Sequence, residues 1–263
     1  MAKAAAVIYG FVVYVIFFGT FLYAIGFVGN LVVPKSIDFG AGVFSIPSLI
    51  IDALLLALFA IQHSVMARQG FKRIWTKLVP RPVERSTYVL FASLCLLLLY
   101  WQWRSIDEIV WSVQNPAGRI VLEVLFAIGW LTVLVSTFLV SHADLMGLRQ
   151  VGSFASGKAY QSIGFKDPVL YKHVRHPIYL GFLIAFWSAP TMTIGHLVFA
   201  IATTGYILVA IQLEERDLIS FFGDTYRQYR RRTPMLVPFM KRPAAAGPSG
   251  SGSGKDVESA RAD

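Results

Sequence analysis

Ile120-Val-Leu-Glu-Val-Leu-Phe-Ala-Ile-Gly-Trp-Leu-Thr-Val-Leu-Val-Ser-Thr-Phe-Leu-Val140 holds a single charged side chain, Glu123, in an otherwise almost wholly apolar run. Crossing the hydrocarbon of a bilayer takes ~20 apolar residues in a helix, which satisfies its own backbone where no water can. Runs of the same kind stand at Ala4–Val33, Phe44–Val65 and Ser86–Trp103. A last apolar region, Ile178–Leu213, is interrupted by Pro190. Its first part, Ile178–Ala189, is too short to cross alone at ~1.5 Å of rise per residue, whereas Thr193–Leu213 is long enough. The expected architecture is all-α: a polytopic membrane helix bundle of about five full transmembrane helices plus a short hairpin arm.

Composition agrees. The chain is 56% hydrophobic and 15% charged over 263 residues, apolar beyond the needs of a soluble core. Block one is longer than the apolar region of a signal peptide and shows no small-residue cleavage site, so it reads as a membrane helix. Gly29, Asn30 and Pro34 suit its exit, and Ser86 or Thr87 suits the N-cap of block three. The lone Cys95 rules out an internal disulfide and a Cys-ligated zinc or iron–sulfur site. Residues 1–169 form the N-terminal helices and connectors, 170–242 the last hairpin and an amphipathic segment, and 243–263 a disordered tail of Ala, Gly, Ser, Pro and charged residues.

The net charge is +9. Most of its basic residues fall in three connectors: Arg68–Arg85, Arg149–Arg175 and Arg227–Arg242. The connectors around Lys35 and around Asp107 and Glu108 are poor in them. The positive-inside rule then places both termini and the basic connectors in the cytoplasm, the orientation of a protein of the bacterial inner membrane. Tyr100, Trp101, Trp103 and Trp111 fall where an outer aromatic belt would lie. A basic chain can also bind nucleic acid, but these charges follow the membrane segments and form no separate patch.

This topology brings His63, His142, Asp144, Arg175, His176, Glu214 and Glu215 to the cytoplasmic ends of their helices. A cofactor pocket facing the cytoplasm is the expected use of such a set. In Tyr171-Lys-His-Val-Arg-His-Pro-Ile-Tyr-Leu-Gly181, Pro177 fits a helix first turn, beside which Arg175 and His176 would hold an anion. The same residues would equally anchor the chain to lipid phosphates. In the stretch Glu214–Pro234, adjacent carboxylates point about 100° apart, so at most one faces a given ligand atom. Phe221, Phe222, Tyr226 and Tyr229 can stack on a purine or face a sulfonium, or form one face of an interfacial helix. Arg175 and Glu214 sit at polar helix ends, so their loss is expected to cost within about 1 kcal/mol, as at a surface.

Together these stretches resemble the isoprenylcysteine carboxyl methyltransferase superfamily. Its pattern is matched by Arg175, His176, Pro177, Tyr179 and Gly181, then Glu214, Glu215 and Leu218, then Phe222, Gly223, Tyr226, Tyr229, Pro234 and Pro238. Thr233 stands where the family usually has Val. Gln62-His-Ser-Val-Met-Ala-Arg68 and Ser141-His-Ala-Asp-Leu-Met-Gly-Leu-Arg-Gln150 narrow the resemblance to its NnrU-type group. The resemblance implies S-adenosylmethionine as cofactor, held by Arg175, His176, Tyr179, Glu214, Glu215 and Tyr226, with no metal. It implies methyl transfer to a small thiol, methanethiol giving dimethyl sulfide, with no obligatory protein partner. Gln150 and Tyr171 are expected to face the acceptor. The thiolate is the nucleophile, so a base is needed. His142 oriented by Asp144 is the first candidate, with its basicity raised by the carboxylate; His63 and His176 are rivals.

Other readings stay open. A relative acting on a prenylcysteine carboxyl or a lipid would share these motifs, and a NADPH-dependent sterol-reductase-like enzyme has a similar C-terminal pattern. A haem protein could draw ligands from His63, His142, His173, His176 and His196. Asp52, inside block two, is the feature that favours transport.

Overall fold

In the computed structural model, residues 1–40, 42 and 44–238 are described. The tail expected at 243–263 lies outside them. The chain is a polytopic helical membrane protein. Among the described residues, five helices are long and apolar enough to cross a membrane: α1 Ala2–Gly29, α2 Ile46–Ala67, α4 Arg81–Gln102, α5 Pro116–Val140 and α10 Ile194–Phe222. Short helices fill the connectors: α3 Gln69–Trp75, α6 His142–Leu145, α7 Leu148–Ala155, α8 Val169–His173 and α11 Asp224–Arg232. The hairpin arm α9 is Pro177–Trp187, 11 residues, or about 16 Å of helix.

Local chemistry sets the ends. Asn30 closes α1 in the left-handed conformation, φ 53°, which asparagine tolerates. The Ser45 hydroxyl caps α2 by accepting from the Ser48 amide at 3.2 Å. Helix α4 starts a turn and a half earlier than expected. Pro80 and Pro82 frame its start, so Ser86 and Thr87 lie inside the helix. Helix α10 does not stop at Leu213 but continues through Glu214 and Glu215 to Gly223, whose φ of +56° turns the chain.

A small antiparallel sheet joins β1 Ile109–Ser112 to β2 Thr191–Thr193, an element the apolar pattern does not announce. It pairs the non-helical backbone that follows α9: Val113 N donates to Pro190 O at 2.9 Å and Ile194 N to Glu108 O at 2.9 Å. Non-helical backbone near the membrane needs partners within the protein, and the sheet supplies them. Close by, Asp38 accepts from Asn30 Nδ2 at 2.7 Å and from the Thr193 hydroxyl, with His196 Nδ1 at 3.9 Å. Burial pushes the Asp38 carboxyl up, but the hydrogen bonds from His196, Thr193 and Asn30 outweigh it and hold it below the usual value. Asp52 accepts from the Arg104 amide at 2.8 Å, tying α2 to the turn after α4.

The aromatic belt is only half a belt. Trp101 and Trp111 are exposed, but Tyr100 and Trp103 are buried in a core with Phe27, Trp130, Phe186 and Phe199. The tightest helix pair is α5 with α9, where Gly129 and Gly181 put backbone against backbone. A Cβ at Gly129 would stand 2.7 Å from Gly181 O, and one at Gly181 2.6 Å from Gly129 O. Glycine at both positions lets this short arm lie flat on a full-length helix.

Candidate active site

The basic connectors meet at the end of the bundle away from the sheet. Arg68 pairs with Asp217 at 3.0 Å, Arg85 Nε donates to Leu145 O at 2.7 Å, and Arg232 pairs with Asp167 at 2.6 Å. At this end lie His63, His142, Asp144, Arg175, His176, Glu214 and Glu215. His196 is at the opposite end, with the sheet.

Arg175 and Glu215 form a buried knot, with side chains 2% and 4% exposed. Arg175 Nε and Nη2 reach Glu215 Oε1 at 2.7 Å each, and Nη1 donates to the carbonyls of Arg230 and Thr233. Arg230 Nε approaches Glu215 Oε2 at 3.0 Å, in ion-pair contact rather than hydrogen-bond alignment. The amides of Arg175 and His176 donate to Pro234 O and Met235 O. The guanidinium expected to hold an anion is therefore spent on the fold, clamping the segment after α11 onto the start of α9. Its setting is not surface-like.

Glu214 and Glu215 diverge as adjacent helical residues must. Glu215 faces the knot, while the Glu214 side chain is 43% exposed and looks elsewhere. His176 stands between them, Nε2 at 3.2 Å from Glu215 and Nδ1 at 3.8 Å from Glu214. The Tyr179 hydroxyl interacts with Glu214. Burial, then the charge of Glu214, raises the Tyr171 hydroxyl above its ordinary value, and Tyr171 O accepts from Tyr229 OH at 2.6 Å. Tyr226 is 2% exposed with its hydroxyl unpartnered, and its ring meets Phe165 and Tyr229 at centroid distances of 5.9 and 5.7 Å. Arg175, His176, Tyr179, Glu214, Glu215, Tyr226 and Tyr171 are thus brought together.

His142 and Asp144 are not. His142 Nδ1 bonds the Thr137 hydroxyl at 2.9 Å, and its ring stacks on Phe138 at 4.5 Å with Tyr14 and Phe17 beside it. Burial lowers its pKa, with no carboxylate raising it. Asp144 turns instead to Tyr160 OH at 2.8 Å, Arg149 at 3.4 Å and Gln150 Nε2 at 3.5 Å. Burial and Asp144 together push the Tyr160 hydroxyl up to about 12. Gln150 also donates to Asp144 O at 3.2 Å, so its amide serves this turn.

His63 lies elsewhere. Its Nε2 is 2.9 Å from Tyr88 OH, and its ring stacks on Phe59 at 5.2 Å. Tyr88 shares an electrostatic neighbourhood with Tyr206, Tyr179 and Glu214, so α2, α4, α9 and α10 converge here. Tyr206 accepts from the Ser64 hydroxyl at 3.3 Å. Sequence reasoning missed Tyr88 and Tyr206, which read as membrane-segment aromatics. Their hydroxyls inside long apolar helices are the only available signal, since a buried phenol seeks a partner. Buried atoms without a partner gather at this same end: His63 Nδ1, Ser86 Oγ, Ser136 Oγ, His142 Nε2, Gln150 Oε1 and Tyr226 OH. Native folds leave few such groups, and a polar ligand is one explanation for several together.

A helical membrane protein with a polar site built at one end of its bundle is the class these features define. The family model described as NnrU protein matches residues 52–237, and the chain belongs to the NnrU family. It is 54% identical over 242 residues to a protein of Mycobacterium tuberculosis named methanethiol S-methyltransferase, covering 92% of this chain and 99% of that one. It is 56% identical over 239 residues, 91% and 84% of the two chains, to methanethiol S-methyltransferase 1 of Bradyrhizobium diazoefficiens. Nurim of Mus musculus is 31% identical over 180 residues, 65% of this chain and 68% of that one.

Proposed function

We propose that this chain transfers a methyl group from S-adenosylmethionine to methanethiol, forming dimethyl sulfide. The observation that carries this reading is 54% identity extending over 92% of the chain and 99% of a relative with that name. When bound, the cofactor supplies a methyl group on a sulfonium, which the thiolate sulfur takes as the old carbon–sulfur bond breaks to leave S-adenosylhomocysteine.

The residues at the basic end fit such a group. The half-exposed Glu214 carboxylate suits ribose hydroxyls or an ammonium. The unpartnered Tyr226 hydroxyl and the aromatic rings around it suit a purine or a sulfonium. Arg175 acts on this site through Glu215 and His176, whose places it sets. The basic connectors gathered at this end support a cytoplasmic pocket and cytoplasmic termini in the bacterial inner membrane. A small apolar thiol reaches such a site through lipid.

For the proton of the thiol, His63 is the better placed base. Its Nε2 meets Tyr88 OH where α2, α4 and α10 come together, while the His142 ring is packed between α1 and α5. The test is purified full-length protein with methyl-labelled S-adenosylmethionine and methanethiol. Labelled dimethyl sulfide in the headspace is the expected result. Binding of NADPH, with no methyl transfer to any thiol, would overturn the proposal.

A further inference from the structure

We infer that a groove at the end of α5 takes the headgroup of an anionic phospholipid, and that the bound lipid steadies the segment packed on the proposed cofactor site. The second half rests on the methyltransferase reading of that site; the first does not. Helix α5 offers lipid a continuous apolar stripe. Val121, Val124, Ile128, Leu131, Val135 and Phe138 are all exposed, and their alternating spacing of three and four keeps them on one face. From Val121 to Phe138 the helix rises about 26 Å, close to the depth of the hydrocarbon. The stripe therefore follows the acyl layer and ends at headgroup level, on the side of the bundle where the basic connectors meet. There a cavity of about 510 Å³ opens beside Phe138. Val140 and Ile163 add to its apolar wall, and its polar lining is the Ser141 hydroxyl with two cations, Arg149 and Lys166.

An acyl chain lying on the stripe brings its phosphate to those cations. Lys166 is exposed and forms no ion pair among the described residues, because its neighbour Asp167 is taken by Arg232 at 2.6 Å. Arg149 is held only by long contacts, 3.4 Å to Asp144 and 3.4 Å to Gln161 O. Asp144 offsets part of its charge but is shared with Tyr160 OH at 2.8 Å. A phosphate between the two cations gains charge-assisted hydrogen bonds. A headgroup with net negative charge gains more than a zwitterionic one, whose own cation cancels part of the attraction. The far wall leads to the cofactor site. Phe165 stands between Gly164 and Lys166 of the lining, and its ring meets Phe222, Tyr226 and Tyr229 at centroid distances of 5.6, 5.9 and 5.0 Å. A headgroup that fixes Ile163–Lys166 also fixes Phe165 against Tyr226.

Native mass spectrometry of the full chain, titrated with phosphatidylglycerol or phosphatidylcholine, tests the site without turnover. One phosphatidylglycerol should bind about tenfold tighter than phosphatidylcholine, and Lys166→Gln should remove about fivefold of that, the usual weight of one basic residue at an anionic surface. Lys158→Gln, exposed on the same connector outside the groove, should change it by less than about twofold. Phosphatidylglycerol with a photoactivatable acyl chain should crosslink to α5 near Phe138. Equal losses in the two variants, or crosslinks confined to other helices, would reduce the attraction to a general one and overturn the site. The coupling is read from S-adenosylhomocysteine affinity in nanodiscs of phosphatidylcholine with and without phosphatidylglycerol. Wild type should bind several-fold tighter with the anionic lipid, and Lys166→Gln should lose the gain. Equal affinity in both lipids would sink the coupling. Displacement of phosphatidylglycerol by S-adenosylhomocysteine would make the groove part of the cofactor site and overturn the inference. No S-adenosylhomocysteine binding in any lipid would instead strike the methyltransferase reading, while the titration and the crosslinks still decide the groove.

Discussion

Arg175→Ala separates a structural arginine from one that merely waits for a ligand. At a surface-like helix end its loss would cost within about 1 kcal/mol. In the fold its side chain is 2% exposed and its fork is fully used: two nitrogens on Glu215, and a third on the carbonyls of Arg230 and Thr233. Removing it strands a carboxylate whose side chain is 4% exposed. Breaking a buried pair from one side typically costs 3–5 kcal/mol. Arg230 at 3.0 Å and His176 at 3.2 Å remain beside Glu215 and offset part of that, which puts the expected loss at about 3 kcal/mol. At roughly 2–4 °C per kcal/mol for a chain of this size, the midpoint of thermal unfolding should fall by about 6–12 °C. Arg175→Lys should fall by less, because an ammonium can pair with Glu215 but cannot span both carbonyls. The double variant Arg175→Ala/Glu215→Gln should be more stable than the sum of its parts, since the stranded charge is gone. The assay is thermal unfolding in detergent followed by tryptophan fluorescence, with S-adenosylhomocysteine affinity measured on the folded fraction. A midpoint within 2 °C of wild type in Arg175→Ala would refute the clamp and return Arg175 to a ligand-facing role.

Gly181→Ala should lower stability by about 1–3 kcal/mol, the usual cost of overpacking, because its Cβ would stand 2.6 Å from Gly129 O. Gly19→Ala, whose Cβ meets nothing within 4 Å, should be neutral or slightly stabilising in the same melt. His63→Ala should lower turnover by about 10²–10⁴-fold and His142→Ala only several-fold, measured as dimethyl sulfide formed at neutral pH; the reverse order would exchange their roles. Asp38 gives a pH dependence. Its folded pKa lies below the unfolded one, so it adds stability above the unfolded value, ~3.9, and that contribution is lost as pH falls through the folded value. Asp38→Asn should therefore lower the unfolding midpoint by more at pH 6 than at pH 3. An equal gap at both pH values would remove Asp38 as the cause.

The apolar runs alone determined that this chain spans a membrane, and how many long helices do so, because a bilayer imposes length and apolarity segment by segment. The same local logic placed the break at Asn30 and the shortness of the arm before Pro190, but not the continuation of α10 from Leu213 to Gly223. The end of the bundle at which His63, Arg175, His176, Glu214 and Glu215 meet was also legible, since helix ends of one parity must share a side. Which of those residues touch was not. His142 and Asp144 are two apart in sequence, yet one packs against Phe138 and the other turns to Tyr160. Arg175 looked free because its partners stand about forty and sixty residues away, on Glu215, Arg230 and Thr233. Tyr88 looked like one more aromatic in a membrane helix until α2 brought His63 to its hydroxyl. The short sheet likewise exists only because the chain after α9 needs backbone partners that the loop after α4 supplies. Burial in lipid is a property each segment carries by itself. A hydrogen bond or ion pair between segments depends on the rotation and depth of two helices, and packing such as Gly129 against Gly181 decides those only once the helices have met.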